Sequence, residues 1–582
     1  MLANQQIRKF YSLAENVGSY SNVRPQDKSY KKTFSRSRGI LIFALVLTSA
    51  ILGRLIYINT VSNSFLETQL NTRIQRVVKI PAMRGVITDR NNNPLAVSTP
   101  VASVWVDPTE LDNLTNEQIN KLASILNMTV AELNEKLNQK DKTFVYIKRA
   151  ISPEQDKLVT QMQIDGIYDI QEFKRYYPSG EVAAHVVGFN NIDDRGSEGI
   201  EYANDKNLLG HDGIQQILRD RQGRVIENTG TARPATNGDT ITLSIDNRIQ
   251  YIAYNALKNQ VEKTHAKGGS AVVLDAKTGE VLSMVNYPTY NPNNRKNATL
   301  DMIRNRAAID LYEPGSTMKP LVVAKALDLG LVTPDTVFTT IPYSVSGHLI
   351  KDTHTSSKLT VSQIIIKSSD VGVSKIAFKM KPQVFWSYDR EVGFGQKVGT
   401  NFPGEAKGIF KSSWKDLRAL DIASMSYGYA VSVSLMQMAR AYTLFTNNGC
   451  MLPISFYKVA GNTTPACKQI IQPKTAEQLR GMLSKVTEEG AGGTGRLAQV
   501  DGYTTAGKTG TAHKNKGKGG YLANSYVGSF VGYAPATNPR LIVAVMIDEP
   551  HGQYFGGLVA APVFSDIAGP SLHLLGVKQD RQ

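Results

Sequence analysis

The sequence predicts an α+β protein with three parts: a single N-terminal transmembrane helix, an elongated mixed pedestal domain, and a larger domain built on an antiparallel sheet. One uncharged apolar run stands near the N-terminus. β-Branched runs occur at residues 270–288 and again at 524–548, with helical periods between them. Strands at both ends of a helix-rich middle indicate one sheet, assembled from distant segments and flanked by helices.

Length and composition narrow the possible partners. A chain of 582 residues is long enough for two or three domains. Its formal net charge of +16 is compatible with an anionic membrane surface, an acidic cell-wall polymer or nucleic acid. The sequence has no zinc-finger spacing, no RNA-binding aromatic signature and no arginine-dense arm, so we do not expect nucleic acid binding. Cys450 and Cys467 are the two cysteines; one disulfide and two free thiols both remain open.

The N-terminal region predicts a membrane anchor. Residues 1–38 are polar and carry eight basic against two acidic side chains. The uncharged run GILIFALVLTSAILG follows, and the apolar pattern continues past Arg54, so we place a transmembrane helix at residues 39–59. The basic flank predicts that residues 1–38 are cytoplasmic. A cleavable signal peptide fits less well, because the run begins late and no A-x-A site follows; a buried core helix is the other alternative.

Residues 60–235 predict the pedestal, a domain without an evident catalytic group. RGVITDRNNNPLAVS at 84–98 is typical of a hairpin, and two amphipathic helices follow, the first capped by Thr115. His185 and Glu198 have no chemical partner in the sequence, and we expect them to be structural.

Residues 236–582 predict the larger domain. The segment after residue 236 reads as a strand and then a helix, and SAVVLDAKTGEVLSMVNYP at 270–288 as a hairpin. NSYVGSFVGYAP and RLIVAVMID near the C-terminus predict a second strand pair.

EPGSTMKP at residues 313–320 is the first candidate for chemistry. Pro314 and Gly315 predict a turn, after which Ser316 opens a helical run that stops near Gly330. Ser316 and Lys319 are three residues apart, so they share one helix face. A serine at a helix start with a lysine nearby has the parts of an acyl-transfer nucleophile. Alone, however, an S-x-x-K pattern is a weak signal.

Two later segments strengthen this signal. KSSDVGVSKIA carries Ser368 two residues before Asp370, and TTAGKTGTAHK carries Lys508, followed by Thr509, Gly510 and Thr511. The order S-x-x-K, S-x-N or S-x-D, and K-T-G is the signature of serine penicillin-recognising enzymes. The chain resembles the class B penicillin-binding proteins, and most closely their septal, FtsI-like branch. The resemblance extends over the whole chain, including RGVITDR and GSEGIE in the pedestal.

The resemblance implies a function. Such an enzyme is a peptidoglycan D,D-transpeptidase of the inner membrane, with its catalytic domain in the periplasm and a serine β-lactamase-like fold. It cross-links D-Ala-D-Ala stem peptides at the septum and is inhibited by β-lactams. No metal or cofactor is implied, and a membrane glycosyltransferase and other division proteins are expected partners. The resemblance also implies that four aromatic residues border the cleft: Tyr427, Tyr429, Tyr554 and Phe555.

The side chains suggest how the reaction proceeds. Ser316 attacks the carbonyl while Lys319, kept neutral by burial and by Lys508 as a second cation, takes its proton. Ser368 relays a proton to the leaving amine. Lys508, Thr509 and Thr511 orient the substrate carboxylate. The backbone N–H groups of Ser316 and Thr511 form the oxyanion hole. Gly510 is expected to let the substrate backbone approach the strand edge, as in strand addition.

Several alternatives stay open. At the position of Asp370, septal members usually carry asparagine, whereas elongation-specific relatives often carry aspartate. This residue therefore leaves the branch undecided. A D,D-carboxypeptidase or β-lactamase would use water as the acceptor. A β-lactam sensor would be acylated without turnover, but only 38 residues precede the membrane span, too few for a signalling module. A catalytically dead scaffold is disfavoured because all three motifs are intact.

Overall fold

The computed structural model describes residues 30–60, 75–111, 114–219, 225–459, 465–517 and 520–581. Its first element is helix α1, Tyr30–Thr60, whose segment Arg38–Thr60 is long and apolar enough to cross a membrane. The side chains of that segment are exposed, so it is not a buried core helix. The predicted span of residues 39–59 lies inside this helix, and most of the predicted tail lies outside the described residues.

The chain divides into two compact units, residues 1–78 with 216–230, and residues 79–215 with 231–582. Most of the pedestal therefore belongs to the same unit as the larger domain. The two compact units meet at residues 78/79, 215/216 and 230/231, and not at the predicted domain boundary between residues 235 and 236. That boundary therefore stays a prediction.

The strands of residues 75–242, which include the pedestal and the first strand after it, pair mainly antiparallel. They are β1 Gln75–Ile80, β2 Ile87–Thr88, β3 Pro94–Val106, β4 Val145–Ile151, β5 Ile167–Tyr176, β6 Gly213–Arg219, β7 Val225–Arg233 and β8 Ile241–Thr242. β2 and β3 form the hairpin predicted at 84–98, with Ile87 opposite Ala96. β3 also pairs with β4 and β5, β8 pairs parallel with β2, and β1, β6 and β7 form a separate sheet in the order β1-β6-β7.

The pedestal helices begin at the capping residues that the sequence favours. The Thr115 hydroxyl accepts from the backbone N–H of Gln118, whose side chain accepts from the Thr115 N–H; Thr129 and Glu132 repeat the arrangement. Each capping box satisfies N–H groups that a helix start leaves unpaired. The helices are α2 Asn116–Ile125, α3 Val130–Leu137, α4 Pro153–Thr160, α5 Ala184–Val187, α6 Gly199–Ala203 and α7 Asp205–Leu208, with a 3₁₀ turn at Gly180–Val182.

The larger domain is organised around a five-stranded antiparallel sheet in the order β10-β9-β19-β18-β17. Its strands, including three short two-stranded pairs outside this sheet, are β9 Gly268–Asp275, β10 Val281–Tyr287, β11 Val337–Thr339, β12 Tyr343–Val345, β13 His348–Ile350, β14 Lys358–Thr360, β15 Cys450–Met451, β16 Lys468–Gln469, β17 Ala506–Asn515, β18 Tyr521–Ala534 and β19 Leu541–Asp548. The hairpins predicted at 270–288 and 524–548 are both present as neighbouring pairs of this sheet. β17, which carries the K-T-G residues, forms one edge.

Helices cover both faces of this sheet. They are α8 Asn247–Lys263, α9 Leu300–Ile303, α10 Arg306–Ile309, α11 Lys319–Asp328, α12 Val361–Lys367, α13 Asp370–Ala377, α14 Pro382–Val392, α15 Ala419–Ser426, α16 Leu435–Ala441, α17 Thr443–Thr446, α18 Pro473–Thr487, α19 Gly556–Val559 and α20 Ala561–Leu574, with 3₁₀ turns at Gly315–Met318, Trp414–Asp416 and Arg496–Ala498. Alternate residues of β19 enter two different cores: Val543 packs with residues of α8 and α20, and Ala544 with residues of α11, α12 and α16. Because both faces are buried, β19 is apolar throughout rather than alternating. The predicted α+β architecture is confirmed.

The structure defines the pairing of the two cysteines, which the sequence left open, and the surroundings of His185. Cys450 and Cys467 form a disulfide that links β15 to the residue before β16. His185 is buried at the junction of the pedestal and the larger domain, where its Nε2 lies 2.8 Å from the carbonyl oxygen of Met302. Burial lowers the pKa of His185 to about 4, so a neutral structural imidazole is expected there.

Candidate active site

The S-x-x-K segment lies at a tight turn that leads into α11. Residues Gly315–Met318 form a 3₁₀ turn and the α-helix begins at Lys319, which refines the single helical run predicted from the sequence. Gly315 has φ +56°, and its N–H donates to the Gly428 carbonyl at 3.1 Å. A Cβ on Gly315 would lie 3.1 Å from the Thr511 carbonyl oxygen, so this glycine brings the serine turn close to strand β17.

Lys319 is completely buried and uses all three of its ammonium donors. Nζ donates to the Ser368 carbonyl oxygen at 2.5 Å and to Ser368 Oγ at 3.1 Å. It also forms an ion pair with Asp370 Oδ1 at 2.6 Å. The Ser316 hydroxyl has no hydrogen-bond partner among the residues that the structure describes, and it is half-buried.

Ser368 stands between two helices and between two amines. It follows α12 with φ +62°, a left-handed conformation that is uncommon for serine, and Ser369 then caps α13. Its Oγ accepts from Lys508 Nζ at 2.8 Å as well as from Lys319 Nζ at 3.1 Å. Two acceptor lone pairs are thereby used, and the hydroxyl proton is left for another partner.

Lys508 is also fully buried. Its Nζ donates to Ser368 Oγ, and to the Thr509 carbonyl at 3.2 Å. Burial, together with the positive charge of Lys319, holds the pKa of Lys508 well below its usual range, while Asp370 acts in the opposite direction. The repulsion between the two lysines that the sequence predicts is therefore present, and it acts on Lys508.

The residues after Lys508 pack against the protein itself. The Thr509 hydroxyl lies 2.7 Å from the Thr494 hydroxyl, and the Thr511 hydroxyl accepts from the Gly556 N–H at 3.0 Å. A Cβ on Gly510 would lie 2.4 Å from Ser529 Oγ and 2.8 Å from the carbonyl oxygen of Pro314. Close packing inside the domain therefore also requires a glycine at position 510, and the approach of the substrate backbone to this glycine stays a prediction.

Comparison with known proteins agrees with this geometry. Residues 269–569, more than half of the chain, match the family described as the penicillin binding protein transpeptidase domain, and residues 79–243 match the penicillin-binding protein dimerisation domain. The chain belongs to the class B penicillin-binding proteins.

Relatives match nearly the whole chain. The "Probable peptidoglycan D,D-transpeptidase PenA" of Neisseria meningitidis is 41% identical over 95% of this chain and 95% of its own. The peptidoglycan D,D-transpeptidase FtsI of Escherichia coli is 37% identical over 93% of this chain and 92% of its own. The transpeptidase domain of Burkholderia pseudomallei penicillin-binding protein 3 is 45% identical, with a TM-score of 0.54, over 58% of this chain and 98% of that domain.

One group of aromatic rings in this penicillin-binding protein packs at the end of β17. The ring centroids of Tyr427 and Tyr429 are 5.9 Å apart, and Tyr429 meets Tyr521 at 5.5 Å. The Tyr429 hydroxyl accepts from the His513 N–H at 3.2 Å, which fixes this tyrosine to the strand that carries K-T-G. Burial raises the pKa of Tyr429 to about 12, so its hydroxyl stays protonated near neutral pH.

A second aromatic group lies beside α19. Tyr554 stacks on Tyr526 at 3.9 Å and contacts Phe555 at 4.6 Å. The His513 ring lies between the groups, 4.5 Å from Tyr526 and 6.1 Å from Tyr521. The four predicted cleft aromatics thus fall into two groups that meet at His513.

Sequence reasoning missed several side chains that hold the motifs in place. Asp352 accepts from the Ser369 hydroxyl at 2.5 Å and from the Val371 N–H at 2.9 Å, which fixes the start of α13. Thr494 holds Thr509. Asp352 and Thr494 belong to no motif and stand in irregular segments, so no pattern in the sequence signals them.

The arrangement provides the parts for acyl transfer. Two buried lysines share one serine hydroxyl, one of them pairs with a carboxylate, and a second serine, Ser316, lies in the 3₁₀ turn before α11. Such a cluster can take up a proton from a nucleophile and return it to a leaving group.

Proposed function

We propose that this protein is a serine-type D-Ala-D-Ala transpeptidase that cross-links peptidoglycan stem peptides at the division septum through an acyl-enzyme on Ser316. The observation that carries the proposal is the position of Ser368 Oγ, 3.1 Å from Lys319 Nζ and 2.8 Å from Lys508 Nζ. The names of its relatives, peptidoglycan D,D-transpeptidases FtsI and PenA, support the same reaction.

Charge balance explains how a lysine acts as the base. The cluster holds Lys319 and Lys508 against a single carboxylate, Asp370, so it is neutral when one amine has lost its proton. Burial and mutual repulsion disfavour the state with both amines charged. Because Ser368 Oγ bridges the amines, a proton can pass between them, and either lysine can be the neutral one. Lys319 in its neutral form then accepts the proton of Ser316.

The bonds change in two steps. In the first, Ser316 Oγ attacks the carbonyl of the penultimate D-Ala, its proton moves to Lys319, and a C–N bond breaks as the terminal D-Ala leaves. The leaving nitrogen receives a proton through Ser368. In the second step the amine of another stem peptide attacks the ester carbonyl, the C–O bond to Ser316 breaks as the amide forms, and a proton lost by the amine returns to Ser316 Oγ. A β-lactam undergoes the first step by opening its ring.

The remaining motif residues bind the substrate. Lys508, Thr509 and Thr511 orient the terminal carboxylate, since a cation and two hydroxyls suit an anionic group. The backbone N–H groups of Ser316 and Thr511 stabilise the oxyanion, each donor contributing roughly 3–4 kcal/mol. The proximity of Gly315 to Thr511 supports this pairing of donors.

The protein is proposed to be an inner-membrane protein with its catalytic domain in the periplasm. The apolar helix Arg38–Thr60 and the basic residues before it support this topology. The disulfide between Cys450 and Cys467 supports an oxidising compartment for the catalytic domain. Strand polymerisation would come from a membrane glycosyltransferase that acts with it, together with other division proteins.

One assay tests the reaction. The full-length protein is incubated with a D-Ala-D-Ala-terminated donor and a stem peptide that carries a free amine, and the products are identified by mass spectrometry. We expect release of D-Ala and an amide-linked dimer. Release of D-Ala with only hydrolysed donor would instead indicate a carboxypeptidase.

Depletion in cells tests the branch. A septal enzyme leaves filaments when it is depleted, whereas an elongation enzyme leaves rounded cells. The FtsI name of the Escherichia coli relative favours filaments. Rounded cells would contradict the septal proposal. They would indicate an elongation-specific enzyme, the branch in which aspartate is frequent at the position of Asp370.

A further inference from the structure

The serine turn, Gly315–Met318, cannot continue the α-helical hydrogen bonding of α11. In an α-helix the Ser316 carbonyl would accept from the backbone N–H of residue 320, but Pro320 has no N–H to donate. This carbonyl accepts from the Lys319 N–H instead, which makes the turn 3₁₀. Hydrogen-bond geometry is poorer in a 3₁₀ turn than in an α-helix, so we expect the orientation of this turn to depend on contacts from outside it.

The position of Ser316 depends on that orientation. Its hydroxyl has no hydrogen-bond partner among the residues that the structure describes, so its place follows from the backbone of the turn. Lys319, in contrast, is held by Ser368 and Asp370. A tilt of the turn would therefore move Ser316 relative to a lysine that stays in place. Nucleophilic attack is sensitive to such a displacement, and a misplacement of about 1 Å can lower a rate by about a hundredfold.

A hydroxyl from a distant segment reaches the backbone of this turn. Tyr442 lies between α16 and α17, and its hydroxyl donates to the Thr317 carbonyl oxygen at 2.9 Å. Thr317 directly follows Ser316, and its own hydroxyl donates to the Pro314 carbonyl oxygen at 2.7 Å. The serine turn is thus held at its start by the Gly428 carbonyl and at its third residue by Tyr442.

Tyr442 is in turn held firmly in the core. Its side chain is fully buried, and its ring meets that of Phe445 edge to face at 5.2 Å. The hydroxyl of the next residue, Thr443, accepts from the Leu452 N–H at 3.2 Å. Burial holds the pKa of Tyr442 well above its usual value, so its hydroxyl keeps the hydrogen that it donates. The donor is therefore fixed in position and does not depend on pH near neutrality.

We propose that Tyr442 is a positioning residue for acylation, which orients the serine turn through the hydrogen bond to the Thr317 carbonyl. The inference rests on the proposed function, in which Ser316 is the nucleophile. Tyr442 acts through the turn and does not contact the reacting atoms. The groups proposed to bind the substrate carboxylate lie on β17, so loss of this hydrogen bond should slow acylation without weakening the preceding non-covalent complex.

The variant Tyr442→Phe tests the proposal on the full-length protein, because it removes the donor and keeps the ring. Stopped-flow measurements with fluorescent penicillin give the dissociation constant of the non-covalent complex and, separately, the acylation rate at saturation. We expect the acylation rate to fall by about tenfold, as for a small misplacement of the nucleophile. The dissociation constant should stay within about twofold of the wild-type value. The rate is taken from the molecules that become labelled, so unfolded protein does not contribute.

Tyr533→Phe is the matched control. Tyr533 is fully buried in the same core, but its hydroxyl has no hydrogen-bond partner among the residues that the structure describes. Removing that hydroxyl should leave both constants unchanged. A further variant carries 4-aminophenylalanine in place of Tyr442, which keeps a donor at the same point of the ring. It should recover most of the lost rate, whereas an effect of packing alone would not be reversed.

Three results would overturn this inference alone. They are an acylation rate in folded Tyr442→Phe within about twofold of wild type, a loss that 4-aminophenylalanine does not reduce, and a loss confined to the dissociation constant. If Tyr442→Phe does not fold, 4-fluorophenylalanine takes its place, since it fills the space of the hydroxyl and has no hydrogen to donate. Wild-type protein that is not labelled at Ser316 would instead overturn the proposed function.

Discussion

This penicillin-binding protein contains two buried clusters of charged side chains, one around Glu201 in the pedestal and one beside Ser316, and they differ in charge balance. In the pedestal, Glu201 lies between two arginines: Arg84 Nε is 2.6 Å from one carboxylate oxygen and Arg175 Nε is 2.7 Å from the other. Arg84 also bonds Asp205 at 2.8 Å. Asp205 also pairs with Arg195, whose side chain is 58% exposed, so among the buried groups two cations face two carboxylates. Arginine does not give up its proton. The arrangement is electrically balanced and chemically inert.

The cluster beside Ser316 differs in its charge balance and in the ability of its cations to lose a proton. Lys319 and Lys508 face one carboxylate, Asp370, so one positive charge is in excess, and lysine readily loses its proton when buried. The comparison teaches that burial by itself does not make a reactive site. A mobile proton requires an unbalanced cluster of groups that can titrate.

The largest effect is expected from exchanging the lysine for an arginine. Lys319→Arg keeps the positive charge but cannot become neutral, so acylation of Ser316 should fall by about a thousandfold, within the usual range for loss of a general base. The rate is measured with fluorescent penicillin on protein that still folds. The reverse exchange, Arg84→Lys in the pedestal, is the control, and it should lower stability without changing the acylation rate of folded molecules. A Lys319→Arg rate within tenfold of wild type would remove Lys319 from the role of base.

The next effect is on stability. Glu201→Gln leaves the buried guanidinium of Arg175 with a neutral partner and that of Arg84 with Asp205 as its carboxylate, and we expect the free energy of unfolding to fall by about 3 kcal/mol. Urea unfolding of the full-length protein measures this. Asp193→Asn removes a solvent-exposed partner of Arg149 and should cost less than about 1 kcal/mol. Equal losses in the two variants would contradict a structural role for the buried cluster.

The smallest effect concerns the single carboxylate of the active-site cluster. Asp370→Asn should keep acylation within about tenfold, roughly 1.4 kcal/mol, if Asp370 mainly orients Lys319. Asp370 raises the pKa of Lys508, so its removal lowers that pKa and the acid limb of the pH–rate profile should move to lower pH. A thousandfold loss of acylation rate, or a shift of the acid limb to higher pH, would contradict this role. It would mean that the negative charge of Asp370 is essential for acylation and does more than orient Lys319.

Much of the fold could be predicted because the relevant patterns are local. The hairpins at 84–98 and 270–288 combine short apolar runs with turn residues, and the helix at Thr115 carries its own capping box. The motif order likewise predicted that Ser316, Ser368 and Lys508 would belong to one site, although 140 residues separate the last two.

Contacts that residues outside the three motifs make with distant segments could not be predicted. Asp352 and Thr494 hold the motifs in place from irregular segments that show no periodicity. Tyr521 and Tyr526 complete the two aromatic groups from β18, whose sequence predicts a strand but no contact with the site. The glycine at 510 was expected to make room for substrate, and the structure adds a second reason that the sequence did not show: a Cβ there would meet Ser529 and Pro314. Sequence shows that a small residue is needed, but not which neighbour requires it.

The central claim is that Ser316 is the acylated nucleophile, and covalent labelling tests it most directly. Wild-type protein is incubated with fluorescent penicillin and the modified peptide is identified by mass spectrometry, beside Ser316→Ala and Ser369→Ala. Ser369 is a neighbouring serine whose hydroxyl caps α13, so it is a control for loss of a serine near the cluster. We expect the label on Ser316 and its complete loss in Ser316→Ala. Labelling that persists in folded Ser316→Ala would contradict the account.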